Sequence, residues 1–172
     1  MILIPLYEVV FKPKEITWYR GTMSADKTQR NGSDTDQEGP GTYLTSDMDN
    51  ALMYGPHIRS VKFTGKLIPT RKYPMLKYHL IRLVQMHPEP ENFTDNYSED
   101  PVKGLKIGID SVLEYNDSVK DCFLQIWINL YRHKEQLYID NMAKLGYDGF
   151  WVETYNGVKH LIVYNEKKLI NI

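Results

Sequence analysis

Two apolar-to-polar transitions, separated by a long polar interval, constrain this chain more than any other feature. Trp18-Tyr19-Arg20-Gly21-Thr22 reads as a strand that ends in an arginine and a glycine. Gly41-Thr42-Tyr43-Leu44-Thr45-Ser46-Asp47 reads as a second strand that runs directly into a short helix, Ala51-Leu52-Met53-Tyr54-Gly55. Between them, residues 24–41 are nearly all polar, small or turn-forming, the composition of a disordered segment or of a lid. A cation, an open backbone edge and a row of hydroxyls are therefore expected at one cleft. Such a cleft suits a ligand with phosphates and ribose hydroxyls.

The rest of the chain divides into β-rich ends and a helical middle. Residues 6–11 are β-branched and aromatic and stop at Pro13, which predicts a strand. Ser46 or Asp47 can cap a helix over 48–54 that Gly55-Pro56 terminates. Residues 58–63 alternate apolar and polar, the pattern of a half-buried strand, and Leu67-Ile68 continues after a turn at Gly65. Helical spacing over 75–86 is followed by a loop-like stretch over 87–106 and a short helix over 107–115. A longer helix is expected from Ser118, burying Cys122, Phe123, Ile126, Trp127 and Leu130, and another over 134–144 that ends at Gly146. The chain closes with a strand over 150–153, a hairpin turn at Asn156-Gly157, a strand over 158–164 and a last one at Leu169-Ile170. The order predicts a single α+β domain over 1–172, mostly antiparallel, with a helical insertion at 70–145 packed on the sheet.

Bulk properties narrow the function. A formal net charge of -1 argues against a protein that coats nucleic acid. Cys122 is the only cysteine, so no intramolecular disulfide forms, and a reducing, cytoplasmic setting is expected. No apolar run is long enough for a membrane span. His57, His79, His87, His133 and His160 show no metal-ligand spacing, so no metal is assigned. There is no G-x-S-x-G elbow, and Gly39-Pro40-Gly41 lacks the lysine of a phosphate loop.

Taken together, Tyr19-Arg20-Gly21-Thr22, then Gly41 to Asp47 with Ala51 and Tyr54-Gly55, then Gly146-Tyr147-Asp148-Gly149 with a strand ending Val163-Tyr164-Asn165, resemble the ADP-ribosyltransferase superfamily. The likeness is to its compact bacterial and phage-encoded members and covers residues 16–68 and 143–172. It implies a split antiparallel sheet around a cleft that binds NAD as substrate. Arg20 would reach a phosphate or ribose, and the backbone of Gly21 would clamp the nicotinamide amide beside Thr22. Thr45 and Ser46 would support the site, while Tyr43 or Tyr54 would offer a ring to the nicotinamide. The family's late catalytic Glu has no direct counterpart: His160 stands in its place, ahead of Leu161-Ile162-Val163-Tyr164, and the nearest carboxylate is Glu153.

The resemblance implies transfer of ADP-ribose to a macromolecule, a protein in preference to nucleic acid, by a phage or bacterial effector acting in the host cytoplasm. The alternatives are a catalytically inactive binding or inhibitor protein on the same fold, with the helical block as its docking surface, and an NAD glycohydrolase. Each site residue also has a plain reading. Arg20 suits a strand-end ion pair, Thr45 and Ser46 suit helix caps, Tyr43 and Tyr54 suit rim aromatics, and Glu153 and His160 suit a solvated hairpin.

Overall fold

The computed structural model describes residues 13–23 and 39–172; the strand expected over 6–11 and most of the polar interval lie outside them. Among the described residues six strands form one antiparallel sheet, curled into a half-barrel: β1 (Trp18–Thr22), β2 (Thr42–Thr45), β3 (His57–Phe63), β4 (Gly149–Glu153), β5 (Lys159–Val163) and β6 (Leu169–Asn171). Their order across the sheet is β4-β5-β2-β1-β3-β6. Helices fill the middle of the chain, as the α+β reading expects. They are α1 (Met48–Leu52), α2 (Leu76–Gln85), α3 (Glu91–Thr94), α4 (Pro101–Tyr115), α5 (Val119–Ile126) and α6 (Glu135–Lys144). A π-helical turn, Trp127–Tyr131, extends α5. Among the described residues no helix is long and apolar enough to cross a membrane.

The sheet buries both faces, because successive strand side chains point to opposite sides. Trp18, Leu44, Val61, Phe63, Leu161, Val163 and Leu169, all from strands, meet on one face of the sheet. The opposite face of β4 and β5 presents Phe150 and Ile162 to a larger core built by the helices. In that core the amide of buried Asn141 donates to Tyr131 Oη (3.0 Å), whose hydroxyl donates to the Leu83 carbonyl (2.6 Å). This chain ties α6 and the π turn to α2. Burial pushes the Tyr131 phenol up to about 12, so it stays a neutral donor.

One seam in the sheet is nearly unzipped. β1 pairs with β3 over its whole length, and β2 with β5 over its whole length. β1 and β2, in contrast, share a single bridge, Tyr19↔Thr45. The two half-sheets are joined again at the far edge, where Leu67 bridges Gly149 and the Ile68 amide donates to the Gly149 carbonyl (2.9 Å).

Three expectations change. Arg20 and Gly21 lie inside β1, not at its end, because β3 runs alongside as far as Thr22↔His57. The stretch 87–106 is not a loop: α3 forms within it, and α4 begins at Pro101 with Asp100 accepting from the amides of Val102 (2.9 Å) and Lys103 (3.1 Å). The glycines there serve packing. A Cβ on Gly108 would meet the rings of Phe93 and Tyr97 at 2.7 Å, so the bare Cα lets α4 close on α3. Finally, the helix expected from Ser118 changes to a π turn at Trp127 and ends at Tyr131, ahead of a turn in which His133 has φ +72°.

Two predictions follow from this packing. Gly21 faces the backbone of α1, and a Cβ there would collide with the Ala51 carbonyl and reach the Gly55 carbonyl at 3.0 Å. Gly21→Ala is therefore expected to cost about 2–3 kcal/mol, measured by urea unfolding; an unchanged midpoint would mean that α1 is not seated on β1. The second concerns acid. Burial holds the His79 imidazole below its ordinary 6.5, helped by Lys66, and burial with Lys134 does the same for His87. Below about pH 6.5 the unfolded chain takes up these protons before the folded one, so stability falls as pH drops and is insensitive to these groups above it. Unfolding at about pH 7.5 and about pH 5.5 should show that loss in the wild type and a smaller one in a His79→Gln/His87→Gln variant. An equal loss in both would assign the effect to other groups.

Candidate functional site

A pocket opens where the β1/β2 ladder stops. Its walls are Tyr19, Arg20 and Gly21 from β1, Gly41 to Thr45 from β2 and its approach, Asn50, Ala51 and Tyr54 from α1 and its end, and His160 from β5. The register explains this meeting. Thr45 is the cross-strand partner of Tyr19 on one side and of His160 on the other, so these three share one face of the sheet. α1 is set directly over them. Asp47, the N-cap, accepts from the Asn50 amide (2.8 Å), and Thr45 Oγ1 accepts from the Asp47 amide (3.2 Å). Ser46 is engaged by the hairpin: its Oγ accepts from the Lys159 amide (3.0 Å), and its own amide donates to the Lys159 carbonyl (2.9 Å).

Arg20 is the buried cation of this site, only 8 % exposed. Its Nη1 lies 3.6 Å from Oε1 of Glu166, and the same carboxylate oxygen accepts from Thr42 Oγ1. Glu166 follows β5 on the short 3-10 turn Glu166–Lys168, where Asn165 caps the turn by accepting from the Lys167 amide (3.2 Å). A carboxylate carried past the end of β5 thus returns across β2 to β1. Sequence reasoning missed it, looking for a Glu ahead of Leu161-Ile162-Val163. The available signal was the cap, Asn165, which turns the chain back at Glu166.

The structure brings Arg20, Gly21, Tyr43, Thr45, Tyr54 and His160 to one pocket. Ser46 stands behind it, bonded to β5, and Thr22 faces the adjoining cleft on the β3 side, its hydroxyl directed to the His57 carbonyl (3.4 Å). Glu153 is elsewhere. It ends β4, is half exposed, pairs with Lys159 across the hairpin (3.9 Å) and lines a different cavity. The bare Cα of Gly21 is covered by the Ala51 backbone, so α1 already occupies the close approach expected for a ligand.

The pocket measures about 40 Å³ in this conformation, room for a few waters and far below the roughly 300–1,000 Å³ of ordinary ligand sites. A larger cavity, about 290 Å³, lies between the helices and β4. Phe123, Trp127, Tyr138, Phe150 and Tyr164 make it an aromatic chamber, with Lys120 and Glu153 at partly exposed positions. The smaller pocket carries the convergent polar groups, so it is the better candidate for chemistry. Among the described residues no group of three or more His, Cys, Asp or Glu is arranged to hold a metal ion. Cys122 is buried, and burial raises its thiol, so it is no nucleophile.

Comparison with family models, with curated proteins and with solved structures finds no match.

Asn50 was not expected at the site. Its Oδ1 is buried without a hydrogen-bond donor among the described residues, and such an acceptor costs about 1–3 kcal/mol. Asn50→Ala is expected to raise stability by about 1 kcal/mol, or about 2–4 °C in Tm. A lowered Tm would show that the amide is a structural group and not one kept for a ligand.

Proposed function

We propose that this chain is an ADP-ribosyltransferase-like protein that binds NAD in the β1/β2 seam and transfers ADP-ribose to a macromolecule, a protein in preference to nucleic acid. The observation that carries the reading is the convergence of Arg20, Gly21, Tyr43, Thr45, Tyr54 and His160 on one pocket where the sheet splits. These residues come from separate strands and a helix, and they are among those the family resemblance singled out; Thr22, Ser46 and Glu153 are not in the pocket. An effector of phage or bacterial origin, acting in a host cytoplasm, fits that resemblance.

The chemistry asks for little covalent help. The bond between ribose and nicotinamide breaks with its electron pair leaving on nicotinamide, which neutralises the pyridinium. The ribosyl cation is captured by a lone pair of the acceptor, which then sheds a proton. Arg20 holds the dinucleotide through its fork of donors, Tyr43 or Tyr54 offers a face to the departing ring, and His160 receives the acceptor's proton. Glu153 takes no part in this scheme, since it faces Lys159 and a different cavity.

A second reading, a non-catalytic binding protein on the same fold, is favoured by two observations. Arg20 already has an internal carboxylate, and an aromatic chamber lies beside the helical block. One assay separates the two: nicotinamide release from NAD by purified protein, alone and with cell lysate. Arg20→Ala and His160→Ala are each expected to lower kcat/KM by at least about tenfold, and Glu153→Gln to leave it within about twofold. Release without lysate would indicate a glycohydrolase. No release under any condition, with NAD also failing to raise Tm, would leave the binding protein.

A further inference from the structure

On the side of β1 that faces β3, Arg20 forms the wall of a second, open cleft. There Arg59 is its direct cross-strand partner, so two guanidinium-bearing residues share one face on adjacent strands. Like charges in that position repel unless an anion lies between or beside them. Arg59 gives its Nε–H to Asn171 Oδ1 (2.6 Å), which uses one of its five donors and orients the rest. Thr22, His57 and Ser60 line the same cleft. An anion of the chain already engages Arg20, from the β2 side: Glu166, half exposed, whose carboxylate also accepts from Thr42.

We infer that Arg20 and Arg59 form a seat for a diphosphate group, and that Glu166 is its built-in competitor. The inference rests on the NAD reading only for the identity of the natural ligand; the seat itself takes any diphosphate. Glu166 engages Arg20 in the ligand-free protein, so it competes for that half of the seat, and it links β1 to β2 through Thr42. Because it is carried on a short exposed turn, it can swing to solvent when a phosphate takes its place. Arg20, buried and strand-borne, stays where it is. An anionic ligand must therefore displace a carboxylate, and its apparent affinity is lowered by the fraction of molecules in which Glu166 is seated.

Isothermal titration with inorganic pyrophosphate and, separately, with NAD tests this. Glu166→Gln removes the charge but keeps a group able to bond Thr42, and should tighten pyrophosphate binding by about tenfold. Arg59→Gln should weaken it by about tenfold, in the wild-type and in the Glu166→Gln background alike. Glu166→Ala, with Tm recorded for every variant, guards against an effect of the new amide. Weaker binding in both Glu166 variants would make Glu166 a ligand group and overturn the competitor, and an unchanged Arg59→Gln would overturn the seat. No pyrophosphate binding by folded Glu166→Gln would also overturn it. If pyrophosphate follows the expected order while NAD does not bind, the seat stands and the NAD reading falls.

Discussion

The structure depends on a ladder that stops after one bridge. In an ordinary antiparallel sheet β1 and β2 would close on each other along their length, and no pocket could exist between them. Here Tyr19↔Thr45 is the whole ladder, so the half-sheets β4-β5-β2 and β1-β3-β6 must be held by other means. Trp18, fully buried, clusters with Leu44 and Val61 on one face of the sheet and so spans the seam. The bridge from Leu67 to Gly149 ties the far edges. Glu166 is a third clasp, reaching Thr42 on one half and Arg20 on the other. An opening flanked by backbone edges, hydroxyls and a buried cation is a costly feature in a sheet. Its persistence is the physical ground for regarding it as a site.

The three clasps differ in kind. The Trp18 cluster is apolar and fully enclosed, and the Leu67 bridge is backbone pairing, so both belong to the rigid scaffold. The Glu166 clasp is ionic, half exposed and mounted on a turn, which makes it the exchangeable one. A cleft whose walls are rigid and whose occupying charge can leave is preorganised on one side and adaptable on the other. The helical layer contributes to the rigid side. Its core reaches Phe150 and Ile162 on β4 and β5, and the hairpin that carries His160 is therefore anchored on the face that His160 shares with Ile162.

Much of this was legible in the sequence, because it is local. The alternation in β3, the Asn156-Gly157 hairpin and the Asp47 cap ahead of α1 each follow from a few neighbouring residues. The α+β class follows from their order. The start of α4 reads as loop in the sequence, because its first turns meet α3 only in the folded chain, where Gly104 and Gly108 let the two elements touch. Arg20 and Gly21 could be picked out as a strand motif, but whether they ended the strand or sat inside it was set by β3, a partner far along the chain.

What the sequence by itself determined, then, is most of the elements and the pool of polar groups that could serve a cleft: Arg20, Tyr43, Thr45, Tyr54, His160. Which of them meet was decided by strand order and register, which place Thr45 between Tyr19 and His160 and leave Glu153 at a solvent-facing hairpin end. The carboxylate that reaches Arg20 comes from Glu166, separated from it by nearly the whole chain. Long-range pairing of that kind depends on how the sheet curls and where a turn releases the backbone, and no local pattern of residues encodes it.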